Sequence, residues 1–201
     1  HEAHRRQPRG ERCGVVRLGE EPGGRIVVNG MPGSGKTTVG AALAEVLGCP
    51  FLSKDRIKEP LADLVGPMIA SRPLGGIAMD TMWSMARAVE NGVVLDAVWL
   101  PSRDRDRLEA GLTSAGSPRA VEVWCDVDRA TAEERLRDRY DPGTVPVRHE
   151  VHGDLADLLA FWDEHGDAGP VALPGVPVVR VDTARPYDVG ALVQEIASHF
   201  V

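Results

Sequence analysis

Two patterns of apolar residues alternate along the chain. Short runs of consecutive apolar residues, each long enough for a buried strand, are separated by stretches in which apolar residues recur every three or four positions, as on one face of a helix. The predicted strands are residues 25–29, 50–53, 93–99, 121–127 and 178–182. The predicted helices are residues 36–47, 56–65, 77–90, 101–115, 129–139, 154–165 and 187–200.

This alternation predicts an α/β fold. Five strands, each followed by helical sequence, are typical of a doubly wound, mostly parallel five-stranded sheet with helices on both faces. Ligands of such sheets bind at the carboxyl ends of the strands. The stretches 66–76 and 166–177 contain several Pro and Gly residues, and we expect both to be loops.

Residues 1–24 differ in composition from the rest of the chain. They are rich in Gly, Arg and Glu, and we interpret them as a mobile extension that includes a short edge strand at residues 15–18. The regular pattern begins at Arg25, so we expect one domain over residues 25–201.

The composition excludes several classes of protein. Hydrophobic residues make up 43% of the chain, yet no run approaches the roughly 20 apolar residues of a membrane helix. The net charge of −7 disfavours a nucleic-acid partner, because sequence-independent binding needs an excess of Lys and Arg. The three cysteines lack disulfide or metal spacing, and no signal peptide is visible. We therefore expect a cytoplasmic, globular protein, either a monomer or a homodimer, without a membrane partner.

The first predicted strand runs into a phosphate-binding motif. The segment from Gly30 to Thr37 matches G-x-x-x-x-G-K-[ST], and a helix follows it. The loop glycines let backbone N–H groups turn toward a phosphate, Lys36 reaches the β- and γ-phosphates, and the Thr37 hydroxyl is a ligand for Mg²⁺. A chance match in a chain of this length has a frequency on the order of one in a hundred. The predicted nucleotide-binding residues in this motif are Gly30, Gly33, Ser34, Gly35, Lys36, Thr37 and Thr38.

A carboxylate follows the second predicted strand. Asp55 would face the γ-phosphate across the crevice, where it could accept a proton from an attacking hydroxyl. The alternative is a helix N-cap, because Asp is favoured at that position. One carboxylate could fill both roles.

A second carboxylate ends the third predicted strand. Asp96 closes an apolar segment, as the acid of a Walker B strand does, and could hold Mg²⁺ directly or through water. It could equally contact the substrate or cap the loop that follows.

The fifth predicted helix ends in arginines. Arg135 and Arg139 could close over the nucleotide, neutralise charge on the transferred phosphoryl group and stack on the base. The alternative is a solvated helix face with i,i+4 ion pairs, such as Glu133 with Arg137. We favour a functional role for Arg135 and Arg139 and leave Arg137 open.

These features together resemble the small P-loop kinases, which include gluconate and shikimate kinases, chloramphenicol phosphotransferase and the zeta-toxin kinases. The resemblance implies use of ATP or GTP with Mg²⁺, and a mobile lid at about residues 136–153. It also implies that Asp55 activates or orients the acceptor hydroxyl, that Arg135 stacks near adenine and that Arg139 contacts phosphates. The residues that it places beside the base are Thr183, Arg185 and Pro186.

The histidines of the lid segment depart from the family pattern. His149 and His152 follow later than the arginine-histidine segment of similar lids, which leaves open which arginine closes on the phosphates. They would suit a metal pair only with a third ligand, which the sequence does not supply. We interpret them as lid-surface or substrate contacts and do not expect zinc.

The acceptor site is less clearly marked. The candidate walls are the region 56–80, Trp83 and the segment 99–103, and the residues singled out are Asp55, Arg56, Asp80, Trp83, Trp99 and Arg103. The two tryptophans are also typical core residues, and the arginines at 103, 105 and 107 alternate with aspartates as on a solvated helix face. Because no clear arginine cluster is present, we expect an uncharged or weakly charged hydroxylated acceptor, such as an antibiotic, a sugar or a nucleoside.

Three other functions stay open from the sequence. A kinase could act on a nucleic-acid end, which the acidic net charge disfavours, or on a nucleotide sugar, as a toxin-like enzyme. A nucleotide-dependent ATPase or switch would need no acceptor. The expected function is Mg²⁺-dependent transfer of the γ-phosphate to a hydroxyl of a small molecule.

Overall fold

The computed structural model describes residues 23–116, 119–141, 143 and 149–200. The elements in chain order are β1 (Arg25–Asn29), α1 (Lys36–Leu47), β2 (Phe51–Ser53), α2 (Lys54–Val65), a 3-10 turn (Gly66–Met68), α3 (Ser71–Ala88), β3 (Val93–Asp96), α4 (Pro101–Ser114), β4 (Ala120–Asp126), α5 (Arg129–Arg139), α6 (His149–His152), α7 (Leu155–His165), β5 (Val178–Asp182) and α8 (Val189–Ser198). The proposed edge strand at residues 15–18 lies outside the described residues, as does most of the proposed extension.

The five strands form one sheet in the order β2-β3-β1-β4-β5, and every neighbouring pair is parallel. The predicted α/β fold with a five-stranded parallel sheet is thereby confirmed. Because β1 is central, the chain enters the glycine-rich loop between the ends of β3 and β4. Among the described residues, no helix is both long and apolar enough to cross a membrane.

Side chains of β1 alternate between two cores, as successive residues of a strand must. Ile26 and Val28 belong to the core that α1 and α8 cover, whereas Val27 belongs to the core that α3 and α4 cover. All five residues of β1 are buried. This two-sided burial explains why the three residues between Arg25 and Asn29 are all apolar.

The predicted loop at residues 66–76 is wrong over its second half. Helix α3 begins at Ser71, and Pro73 lies in its first turn, where the missing N–H costs no intrahelical hydrogen bond. Gly75 and Gly76 are therefore helical residues. Helix α2 likewise begins at Lys54, two residues earlier than predicted, and contains Pro60 in its interior.

A buried amide and a buried carboxylate anchor the end of β1. The Asn29 Oδ1 atom accepts from the backbone N–H groups of Gly30 (2.7 Å) and Trp99 (2.9 Å). The Asn29 Nδ2 atom donates to the Trp99 carbonyl (2.9 Å) and to Glu122 Oε1 (2.8 Å). Glu122, fully buried on β4, also accepts from the backbone N–H groups of Val171 and Ala172, both at 2.9 Å. This network joins the glycine-rich loop to the segments that follow β3 and precede β5.

We predict that Glu122→Ala lowers the free energy of unfolding by about 3 kcal/mol or more, because three buried N–H donors lose their acceptor. Glu122→Gln keeps one of the two oxygens and should lose less. Urea denaturation followed by circular dichroism measures both changes. Glu133→Ala is the control, because it removes only ion pairs on the surface of α5. Equal losses in Glu122→Ala and Glu133→Ala would contradict the anchoring role.

Candidate active site

The glycine-rich loop connects β1 to α1 through a tight turn. Gly33 and Gly35 have positive φ angles of 81° and 78°, which residues with a side chain rarely adopt. A Cβ atom on Gly33 would also lie 2.7 Å from the carbonyl oxygen of Ala132 in α5. The turn places the N-terminus of α1, the positive end of its dipole, at the mouth of the loop. This geometry suits an anionic phosphate.

A buried carboxylate lies beside the first turn of α1. The Thr37 hydroxyl donates to Asp96 Oδ2 at 2.9 Å, while the buried Asp96 Oδ1 atom has no hydrogen-bond partner among the described residues. Burial raises the pKa of Asp96, although Lys36 and the Thr37 hydroxyl both act to lower it. The site thus contains one buried carboxylate oxygen that a cation would satisfy.

Asp55 lies in the first turn of α2, immediately after β2, and its side chain is half exposed. Burial favours its neutral form, but the positive charges of Lys54, Lys36 and Lys58 outweigh it. The pKa of Asp55 is therefore held below its usual value. The carboxylate is ionised at neutral pH and lies in the field of the P-loop lysine.

Arg135 connects the P-loop to the segment after β5. Its guanidinium donates to the Thr183 carbonyl at 2.6 Å and to the Gly33 carbonyl at 3.3 Å. The Thr183 hydroxyl in turn donates to the Ser34 carbonyl at 2.7 Å. Arg135 and Thr183 are therefore both in contact with the loop, on the side where the family resemblance places the base.

A cavity of about 200 Å³ brings several predicted residues together. The P-loop contributes Gly33 and Lys36 to its wall, the end of β2 contributes Asp55, and the end of α5 contributes Arg139. His152 of α6 also lines it, and its Nε2 atom lies 2.7 Å from Glu59 Oε1. The side chain of His149 and residues 144–148 of the predicted lid lie outside the described part of the chain.

A larger cavity of about 690 Å³ adjoins the first. Four residues line both cavities, so the two are parts of one cleft: Lys54, Lys58, Val98 and Arg103. The wall of the larger cavity comes from α2, α3 and α4. The cleft therefore extends from the P-loop, past Asp55, into a space large enough for a small molecule.

Several predicted acceptor residues lie elsewhere. Trp83 and Trp99 are buried in the core, with ring centroids 5.8 Å apart, so their assignment to the pocket wall is wrong. Their apolar rings fill the space between α3, α4 and the sheet. Arg56 is exposed, with its guanidinium over the Phe51 ring, and Asp80 pairs with Arg107 at the surface. Neither lines the cleft.

Three predicted nucleotide-binding residues outside the Gly30–Thr37 motif are exposed on the surface. Thr38 is exposed on α1, and Pro186 is exposed after β5. Arg185 pairs with Asp182 at 3.4 Å and is also exposed. Their proposed contact with a nucleotide stays a prediction.

Sequence reasoning located part of the acceptor wall only as a region. Lys58, Ser71 and Arg72 lie within the predicted region 56–80 and line the larger cavity, as does Arg107 outside that region. Lys54 and Lys58 are four residues apart, a spacing that places both on one helix face and could have been noticed. Arg72 was not singled out, because its segment was predicted to be a loop. The alternation of Arg103, Arg105 and Arg107 with aspartates suggested a solvated face, yet Arg103 and Arg107 line the cavity.

Comparison with known proteins identifies the family. The model of the AAA domain family matches residues 26–160. A shikimate kinase of Gloeobacter violaceus is 32% identical over 177 residues, which cover 78% of this chain and 88% of that protein. A shikimate kinase of Synechococcus sp. is 32% identical over 130 residues, but the match spans only 63% of that enzyme and 62% of this chain.

A solved structure supports the same assignment. A protein of Chloroflexus aurantiacus, provisionally named a kinase, superposes with a TM-score of 0.72 and 27% identity, over 90% of this chain and 97% of that one. Its extent matches almost the whole described domain. The chain belongs to the AAA domain family and is related to the shikimate kinases.

Proposed function

We propose that this protein transfers the γ-phosphoryl group of ATP, with Mg²⁺, to a hydroxyl of a small molecule. The observation that supports this most is the single cleft in which Lys36 and Asp55 share a wall and from which a larger cavity opens. A donor site and an acceptor site then meet at Asp55. The kinase names of the relatives support the same reaction class.

The residues around Asp96 fit a magnesium ion. Mg²⁺ prefers oxygen ligands and keeps several waters, and the buried Asp96 Oδ1 atom is without a partner beside the Thr37 hydroxyl. Thr37 and Asp96 would hold the ion directly or through water. When bound, Mg²⁺ neutralises phosphate charge and fixes the orientation of the triphosphate.

Asp55 is placed to orient the acceptor. Its carboxylate accepts a hydrogen bond from the attacking hydroxyl, which holds the oxygen in line with the γ-phosphorus. The acceptor oxygen then bonds to phosphorus as the bond between phosphorus and the β–γ bridging oxygen breaks, and ADP leaves. The lowered pKa of Asp55 makes it a weak base. It therefore takes the proton late, when the developing bond has made the hydroxyl acidic.

Lys36 and Arg139 neutralise the negative charge that develops on the phosphoryl group during transfer. Lys36 follows the loop and contacts the β- and γ-phosphates, and Arg139 faces the same small cavity from α5. Arg135 holds the loop itself through the Gly33 carbonyl. The chain thus supplies positive charge from two sides of the transferred group.

The reaction is tested by measuring ADP release over a panel of hydroxylated metabolites and antibiotics. We expect at least one acceptor to stimulate turnover well above the rate with ATP alone. Uniform, acceptor-independent hydrolysis across the panel would favour an ATPase or switch and overturn the proposal. Measuring the same panel with GTP identifies the preferred donor.

Lys36→Ala should lose ATP affinity and turnover together, each by about tenfold or more, because a charge-assisted contact to phosphate is removed. Isothermal titration with a non-hydrolysable ATP analogue measures the affinity. Arg129→Ala, which removes exposed ion pairs at the other end of α5, is the control and should bind normally. Normal affinity in Lys36→Ala would place the phosphates elsewhere.

Asp55→Asn should retain ATP binding but lower kcat by about 10²-fold or more, since the amide cannot accept the proton. Asp63→Asn, an exposed change on the same helix, should keep full activity. Single-turnover kinetics with the best acceptor separates transfer from binding. Retained transfer in Asp55→Asn would assign the acceptor contact to another carboxylate, with Asp96 the next candidate.

Asp96→Asn should raise the melting temperature of the free protein at pH 8 while lowering kcat about 10- to 100-fold. Burial raises the pKa of the Asp96 carboxyl, so this carboxyl stabilises the fold less as the pH rises above the ordinary pKa of an aspartate, because the unfolded chain ionises it freely. The gain should therefore shrink toward pH 4.5. Asp126→Asn, at the exposed end of β4, is the control. A lower melting temperature for Asp96→Asn at pH 8 would contradict the prediction that burying the ionised Asp96 carboxylate destabilises the fold.

A further inference from the structure

The larger cavity is lined by basic side chains from three different helices. Lys54 and Lys58 are an i,i+4 pair on α2, and Arg103 and Arg107 are an i,i+4 pair on α4. Arg72 extends from the first turn of α3. Because each helix presents its cations toward the same space, this arrangement differs from a solvated face on a single helix.

Some of these charges are already compensated. Arg103 forms an ion pair of 2.7 Å with Asp104, and Arg107 lies 3.4 Å from Asp80. Lys54 on α2 lies 4.0 Å from Asp55. In contrast, neither Lys58 nor Arg72 forms an ion pair with a carboxylate in the described part of the chain. Five cations and two carboxylates, Asp104 and Asp106, line the larger cavity, so positive charge is in excess there.

Lys58 is held in place by neutral acceptors. Its ammonium donates to the Ser71 hydroxyl at 2.8 Å and to the carbonyl of Val151 in α6. An ammonium has three N–H donors, so one donor is left beyond these two contacts. Lys58 is buried, and both of its hydrogen-bond partners are neutral, so that only the charge of Asp55 offsets the cost of burying the ammonium.

The two lysines of α2 converge on one position of α3. A Cβ atom built on Gly75 would lie 3.7 Å from Lys54 Nζ and 3.8 Å from Lys58 Cε. Burial, with added repulsion from Lys54, lowers the pKa of Lys58. Gly76, the next residue, has open space where a side chain would be. The two glycines thus leave room for a ligand between the lysines and α3.

We propose that the acceptor carries an anionic group, a carboxylate or a phosphate, which Lys54, Lys58 and Arg72 bind while its hydroxyl faces Asp55. This inference rests on the proposed function and specifies its substrate class. It replaces the expectation of an uncharged or weakly charged acceptor. That expectation rested on the lack of a basic cluster in the sequence, whereas the fold brings basic residues of three helices together. Charge-assisted hydrogen bonds of this kind are about twice as strong as neutral ones.

Matched pairs of acceptors test the proposal. ADP release is measured with gluconate against glucose, shikimate against its methyl ester, and glycerol 3-phosphate against glycerol. We expect the anionic member of at least one pair to have a kcat/KM about tenfold or more above that of its neutral partner. The carboxylate and phosphate pairs show which anion the cluster binds.

Variants assign the effect to the cluster. Arg72→Gln should raise the KM of the preferred anionic acceptor about tenfold, while the KM of ATP changes less than twofold, because Arg72 lines the larger cavity and not the P-loop cavity. Arg72 is exposed, so the variant should fold, which a melting curve checks. Arg87→Gln on the opposite end of α3, where the guanidinium bonds to serines, is the matched control and should change neither KM.

The outcomes separate this inference from the reaction itself. If the neutral members are turned over with an equal or higher kcat/KM, the proposal of an anionic acceptor is wrong, whereas the proposed phosphotransferase function is retained. A parallel rise in the KM of ATP in Arg72→Gln also overturns it, because the cluster would then bind the triphosphate. If no member of any pair and no member of the broader panel stimulates turnover, the proposed function itself is wrong.

Discussion

The carboxamide of Asn29 is the constraint on which the geometry of the cleft depends. It uses both lone pairs of its oxygen and both hydrogens of its nitrogen, and all four partners are buried. Two of the bonds go to Trp99, just before α4, and one goes to Gly30, the first residue of the P-loop. The phosphate-binding loop and the helix that bears Arg103 are therefore positioned from one side chain.

Glu122 extends the same constraint along one face of the sheet, from β1 to the segment before β5. A carboxylate buried without a cation is costly, and here three N–H groups offset that cost. Two of the three belong to the segment before β5, which leads to Thr183 and so to the contacts of Arg135. Rigid packing around β1 thus fixes both ends of the donor site, while the acceptor cavity forms between helices that pack outside it.

The sequence predicted the donor site well because its geometry is local or follows from sheet topology. The P-loop is contiguous, and Asp55 and Asp96 follow strands of a parallel sheet, whose carboxyl ends meet at one edge. The acceptor wall depends on how three helices face one another, which periodicity does not specify. Pro73, Gly75 and Gly76 made the start of α3 look like a loop, so Arg72 was not singled out within the predicted wall region. Trp83 and Trp99 were placed on the wall, although packing puts them in the core.

The character of the acceptor cavity depends on missing side chains as much as on charged ones. At Gly75 a Cβ atom would meet only the ends of two lysines, at ordinary contact distances, so a larger residue would fit there without disturbing the backbone. It would, however, occupy the space beside Lys54 and Lys58 and cover their charge. The fold is therefore compatible with different side chains in the wall of the acceptor cavity. Substitutions on one face of α3 can change the acceptor while the P-loop, Asp55 and Asp96 stay the same.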